Sequence, residues 1–436
     1  MRTTGGGLKQ LQQKVHRRAG LGGFALVTGC LKLLPQTKGA RMTAGREREA
    51  LRGRWAVASM FTANGFVMGA WAPQIPLLLP RHQITESALG LLILALGLGA
   101  VGAMLFAGRL IAAFGSRKVA SLFALATIPT LPLVVFAPNL WLLTPAMALM
   151  GALIGCMDVA MNANAVEVER RLGRAIMSSS HGFWSLGGFV GGSAGSYVIA
   201  HSGAGTQALL AAAVALALVL GAIPFLIRDA AHAANENKAP APKGHILPRD
   251  AALWILGFMA LFSMVPEGAV LDWAAIYLGQ ELGSDLFRSG LAFAFFAGAM
   301  AIVRFAGDRV RNRFGAVRTL RISGLVGAAG LMGGALAPND IVAIASFGVA
   351  GLGVANMVPI LFSAAGNHKG LAAGAAISTV TMVGYAGILV APSSIGFVAE
   401  HIGFRWTYAA LSLVLVLVAA LAGRVAAADG VRKAQP

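Results

Sequence analysis

Charge is scarce in this chain, and acids are scarcest: 12% of its 436 residues are Asp, Glu, Lys or Arg, and only 17 are acids against 35 bases. With 57% of residues hydrophobic and a mean hydropathy of +0.73, there is too little polar surface to cover a soluble globule. The composition leaves an integral membrane protein. Cysteine is almost missing too; Cys30 and Cys156 offer no spacing for a disulfide framework or a metal site, so no metal is expected. No Gly-x-x-x-x-Gly-Lys-Ser/Thr loop occurs, which excludes ATP hydrolysis by this chain. Gly97-Leu-Gly99-Ala-Val-Gly102 has the letters of a dinucleotide fingerprint, but it lies inside an apolar run with no strand before it, and no cofactor is implied. Nowhere do a nucleophile, a base and oxyanion donors converge, so an enzyme is not expected.

What is present is long and apolar. Windows of about 20 to 25 residues, at 1.5 Å per residue, match a hydrocarbon core of roughly 30 Å. The expected fold is all-α and membrane-spanning, with helices near 55–80, 87–109, 119–138, 140–166, 178–201, 206–228, 250–280, 288–308, 319–338, 340–363, 370–394 and 404–426. Residues 1–54, with 12 Lys or Arg against Glu47 and Glu49, read as a basic tail without fixed structure, Met42 being an alternative start. Residues 55–228 form a first bundle of six helices and 250–426 a second, joined by the polar, Pro-containing linker 229–249 and followed by a short tail, 427–436.

The halves repeat at an offset of 200 residues: Gly115 with Gly315, Ala137-Pro-Asn139 with Ala337-Pro-Asn339, Gly151 with Gly351, Met157 with Met357, Ser193 with Ser393, Val198 with Val398, His201 with His401 and Gly203 with Gly403. Parallel six-helix repeats with a solute site between them near the midplane are a transporter architecture. Positive charge stays on the cytoplasmic side. With the N-terminal tail inside, inner loops and helix ends hold 17 Lys or Arg, while the outer loops hold three, Arg81, Arg288 and Arg405. Both termini are therefore expected in the cytoplasm, and the bias accounts for the high pI without nucleic acid.

The loop Gly108-Arg-Leu-Ile-Ala-Ala-Phe-Gly115-Ser-Arg117-Lys118 and its echo Gly307-Asp308-Arg309-Val-Arg-Asn-Arg-Phe-Gly315 resemble the loop signature of the major facilitator superfamily. More narrowly, Asp158-Val-Ala-Met-Asn162, Ser179-Ser-His181-Gly-Phe-Trp184-Ser-Leu-Gly and Glu267-Gly-Ala-Val-Leu-Asp272-Trp273 resemble the YbjJ-like branch, related to the fucose/proton symporters. The resemblance implies two pseudo-symmetric bundles in the bacterial inner membrane, a monomer, and a small solute moved with protons. The gating residues the resemblance implies are Gly108, Gly115 and Arg117 of the first loop and Arg304, Asp308 and Arg309 of the second; Ala112 stands where the first loop signature usually has an acid, so a charge latch is expected at Asp308 and its arginine neighbours.

The candidate site is built on intramembrane polar residues, which are costly and so read as functional. Asp158 and Asn162, one turn apart, share a helix face. Asp158 is the first candidate for proton coupling; the alternative is that it pairs with an arginine near the inner helix ends and holds a closed state. Glu267, after Pro266, is the second candidate. Asp272 and Trp273 lie nearer the outer mouth, and at five residues' spacing Asp272 is turned about 140° from Glu267. Asn64, Trp71 and Gln74 on the first helix, Trp184 on the fifth, Asn356 on the tenth and Tyr385 on the eleventh offer rings and amides to a solute. The alternatives are an interfacial belt for Trp71 and helix-to-helix hydrogen bonds for the amides. His181 reads as a solvated histidine at a helix end. Gly187, Gly191 and Gly195 form a ladder at spacing four, and with Gly387 and Pro392 on the eleventh helix they are expected to form the sliding surface between halves.

The function expected is proton-coupled secondary transport of a small polar, sugar-like solute across the lipid bilayer. An exporter of drug-like or metabolic compounds is the alternative within transport, and a non-transporting receptor or scaffold the alternative outside it.

Overall fold

Proline and glycine, more than any polar break, decide where these apolar helices stop. The computed structural model describes residues 38–84, 86–229, 248–284, 286–369 and 371–432. The tail before 38, the linker core and residues 433–436 lie outside the described residues. Helix α1 (Lys38–Trp71) starts well before the expected Trp55, because Ala44 to Arg54 is rich in Ala, Arg and Glu and carries no proline. Pro73 and Pro76 then tighten the chain into a 3-10 turn, Ala72–Leu77, ahead of the short α2 (Leu78–His82). After α3 (Glu86–Phe114) the third expected helix is split into α4 (Ser116–Thr127) and α5 (Thr130–Val135), where Pro132 excludes the carbonyl of Ile128. Helix α6 (Leu140–Leu172) is continuous. The fifth and sixth helices run together as α7 (Met177–Ala222), broken only at Gly203.

The second half repeats this with α8 (Ala251–Leu282), α9 (Leu286–Phe314), α10 (Ala316–Ala335), α11 (Asp340–Val354), α12 (Met357–Gly366), α13 (Ala373–Ile402) and α14 (Phe404–Ala420). Pro359 ends α11 as Pro132 ends α4, by excluding the carbonyl four residues back, at Ala355. The expected C-terminal tail is ordered in part, as the 3-10 segment Leu421–Arg432. Among the described residues, eight helical segments are long and apolar enough to cross a membrane, and no strand occurs.

The 200-residue repeat extends to conformations and caps. Gly115 and Gly315 have φ of 80° and 85°, Gly203 and Gly403 both 84°, and left-handed Gln83 (53°) answers Gly283 (65°). Asn139 and Asn339 cap α6 and α11 by accepting the N–H of Leu142 and Val342 at 3.1 and 3.0 Å. The N-terminus of α4 donates from Ser116 to Asp229, and that of α10 from Ala316 to Asp429 at 2.6 Å. Gly151 faces the carbonyl of Leu96 as Gly351 faces that of Phe296, so each half packs its fourth helix onto its second without a Cβ between them.

Two hydrophobic cores result. One joins the second half to the part of the first half nearest the basic loops, with Val57, Phe61, Met104, Met157, Met161 and Met177 beside Met300, Phe362 and Ile377. The other, around Trp71, Leu131, Leu143 and Met147, belongs to the first half alone. The halves thus share a core at the end carrying the basic loops, where α3 lies along α13 and α7 along α9.

Candidate functional site

The sequence-defined acid sits where the two halves meet at mid-depth. Asp158 is 4% exposed; its Oδ1 accepts from Asn162 Nδ2 at 3.4 Å and its Oδ2 is buried without a partner. Asn162 also donates to the Asp158 carbonyl at 2.9 Å, leaving its own Oδ1 unpaired. The alternative latch role for Asp158 has no arginine to support it among the described ion pairs. On α7, Trp184 donates from Nε1 to Asn64 Oδ1 of α1 at 2.9 Å, and Asn64 keeps a free, buried Nδ2. Across the interface, buried Arg304 of α9 donates to Ser185 of α7 at 2.7 Å and to Glu267 of α8 at 3.3 Å. Arg304, a gating and interface residue in the sequence, thus joins the two halves through Ser185. Tyr385 on α13 is near enough to both Asp158 and Glu267 for their charges to act on its hydroxyl. The structure therefore pairs Asp158 with Asn162, Asn64 with Trp184 and Glu267 with Arg304, and leaves spare donors and acceptors of both kinds among them.

One helix end locks the basic side. The first four N–H groups of a helix have no partner within it, and at α7 two acids take all of them. Glu169 Oε1 accepts from Ile176 and Met177 at 2.9 and 3.1 Å, and Asp308, from the other half, accepts from Ser178 and Ser179, both at 2.9 Å. The helix dipole adds to the attraction. Glu169 also holds Arg311 at 3.0 Å and Ser363 at 2.6 Å, while Arg311 donates to Ser363 and to the carbonyl of Ala428. This ion pair is 0% and 3% exposed, and the hydrogen bonds to both Glu169 oxygens and both terminal nitrogens of Arg311 offset the cost of burying it. Arg54 reinforces it at Ser179, Asn312 accepts from Ala175, and Arg170 reaches Asn367 and the Gly366 carbonyl.

Glu169 is absent from the sequence-based candidates, because it lies just past the end of the expected helix 140–166. A signal was there: 11 residues after Asp158 is a turn of only about 20° in net direction, so Asp158, Asn162 and Glu169 share one helix face about 16 Å long. Gly108 stands opposite Asp308 in the repeat and has no acid to offer; a Cβ there would lie 2.8 Å from Ala375 Cα, and the halves close on backbone instead. Arg117 reaches the carbonyls of Ile223 and Pro224 in its own half, and Arg309 is exposed.

Several expected site residues serve packing. A Cβ on Gly187 would lie 2.3 Å from the Thr62 carbonyl and one on Gly191 2.3 Å from that of Phe66, while Gly195 faces Gln207 and Pro73. The ladder thus seats α7 on α1 inside the first half, not on the second half, because the small face of α7 matches Gly65 and Gly69 of α1. Gly387 likewise meets Leu261 of α8, and Pro392 lies within α13. Among the glycines of α7, Gly182 is the one that faces the other half, against the Phe305 ring. Trp71 is neither in a belt nor at the site; it is buried in the first half's own core. Gln74 donates to Gln207 at 2.5 Å and to the Ala204 carbonyl, the helix-to-helix role. Asn356 is wedged against Gly307 near Ser178, at the latch. Trp273 packs on Phe404 and Gly396, and Asp272 is exposed. His181 is not solvated at its tip: Nε2 is buried.

Two like helical bundles, locked at one end by buried charge and leaving unpaired polar groups between them at mid-depth, have the layout of a secondary transporter. The chain belongs to the Major Facilitator Superfamily, whose sequence profile matches residues 57–392. It is 35% identical over 366 residues to an uncharacterised MFS-type transporter of Yersinia pestis, covering 84% of this chain and 94% of that protein. It is 32% identical over 366 residues to the membrane protein MosC of Rhizobium meliloti, covering 84% and 88%. In fold it is similar to FucP in the outward conformation, with a TM-score of 0.69 at 16% identity over 86% of this chain and 99% of that one. It is also similar to the human organic anion transporter MFSD10, with a TM-score of 0.69 at 15% identity over 86% and 99%. The protein is a multi-pass membrane transporter.

Proposed function

We propose that this transporter moves a small polar, sugar-like solute together with protons, by rocking its two bundles about the mid-depth cluster, in the bacterial inner membrane with both termini in the cytoplasm. The observation that carries the reading is the buried Asp158 carboxyl with one oxygen unpartnered. Charge is costly in such a place, and an unpaired carboxyl that can bind and release a proton during the cycle accounts for it. Asn162 can serve either protonation state, since an amide both donates and accepts. Glu267, paired with Arg304, is the second ionisable group of the path.

Similarity in fold to the fucose:proton symporter of E. coli and to a proton:xylose symporter supports the solute class. The positive-inside bias supports cytoplasmic placement of the basic end. The locked α7 end supports an outward-facing arrangement, the state of the FucP structure to which the chain is similar in fold.

The test has two stages. Specific ligands raise apparent stability by mass action, so a thermal-shift screen of the purified protein against sugars, polyols and organic acids should pick out sugars or polyols. Adding that compound to weakly buffered proteoliposomes should then alkalinise the medium as protons enter with it. Solute entry without a pH change would remove proton coupling, and acidification would make the protein an antiporter. A screen answered only by organic acids would overturn the sugar-like assignment.

A further inference from the structure

The proposed function leaves the imidazole of His181 unused. His181 lies on the first turns of α7, two residues beyond the last N–H held by Asp308. Its ring is clamped across the interface, 5.1 Å from Phe61 of its own half and 5.8 Å from Phe362 of the other. Its Nε2 is buried and has no hydrogen-bond partner. A buried polar atom without a partner is costly and asks for a reason.

The surroundings supply one. Arg304 of α9 is within electrostatic range of the ring; the other charged groups at this end of α7 are Asp308 of α9, engaged with Ser178 and Ser179, Arg54 of α1, engaged at Ser179, and Glu169 of α6, engaged with Ile176, Met177, Arg311 and Ser363. Helix α12 brings Phe362 and no titratable side chain. A proton added to Nε2 in this slot would stand between two phenyl rings, beside the Arg304 guanidinium, with every nearby acid already engaged. If the halves part at the basic end, Phe362 withdraws with the second half and water reaches Nε2.

We propose that His181 is a proton-binding residue of the gate, taking a proton from water at the basic end when the halves part there and releasing it to the same water before they close. This rests on the alternating-access reading but not on Asp158 as the coupling group. A proton bound in only one state favours that state as pH falls, by at most tenfold per pH unit for a single group. Opening of the basic end should therefore increase on acidification through the imidazole range, about pH 7.5 to 5.5.

The experiment uses the full chain in detergent, with Cys30 and Cys156 replaced by Ala and one cysteine placed at Ala365, which is fully buried in the closed latch. Its alkylation rate, corrected for thiol ionisation with an unfolded control, reports opening. The parent should show severalfold faster corrected labelling at pH 5.5 than at 7.5, and both His181→Phe, which keeps a ring in the slot, and His181→Gln should flatten that dependence. Retention of the parent's midpoint and amplitude in His181→Phe would overturn the proposal, as would a pH-independent parent. Asp158→Asn should leave this labelling profile in place even while abolishing accumulation, so the two readings fail separately.

Discussion

At the scale of the residue, what was legible was chemistry, and what was not was direction. Asp158 and Asn162 were marked out by their cost inside an apolar helix, and they are buried together as that cost requires. Gly187 and Gly191 were marked out by spacing, but spacing does not say which neighbour a small face receives; Gly65 and Gly69 of α1 answer it within the first half. The consequence changes what a substitution does. A side chain at Gly191 is not a wedge between halves but a collision with the Phe66 carbonyl. Gly191→Leu should lower the unfolding temperature and membrane yield, with a loss on the order of 1–3 kcal/mol or more from overpacking. A stable protein trapped in one transport state would contradict this placement.

At the scale of the element, the helices were legible because apolar run length is a local property, while their breaks required reading proline against the carbonyl four residues back. Thus α11 and α12 part at Ala355 because of Pro359, inside what the hydropathy shows as one span. The junctions at Gly203 and Gly403 hold φ of 84° with ψ of 163° and 159°, a region open in practice to glycine alone. Gly203→Ala and Gly403→Ala should each cost about 1–3 kcal/mol, with closely similar losses because the two junctions are repeats. Circular dichroism melts of the two variants side by side would check both the magnitude and the equality.

The α7 latch was hidden because its partners lie 142 residues apart at Arg311 and 194 apart at Ser363. Removing one member of a buried ion pair leaves the other uncompensated, at about 3–5 kcal/mol. Glu169→Ala should therefore shift the population toward an open basic end, seen as faster alkylation of a cysteine at Ala365; unchanged labelling would deny Glu169 its role in the lock.

At the scale of the whole molecule, the repeat gives both halves the same frame, and function resides where they differ. Asp308 caps α7, while its counterpart Gly108 closes on backbone; the first half carries Asp158 and Asn162, where the second carries a broken helix and Asn356. In the proposed function the symmetric frame lets the bundles rock about one centre, and the unequal side chains decide what binds there and what drives it. The most direct measurement is accumulation, in proteoliposomes under an imposed pH gradient, of the compound selected by thermal shift, comparing the wild type with Asp158→Asn. The account predicts that the wild type concentrates the solute above its external level, while Asp158→Asn binds and exchanges it without concentrating it. Accumulation by Asp158→Asn against the solute gradient, with the wild-type dependence on pH, would contradict the account.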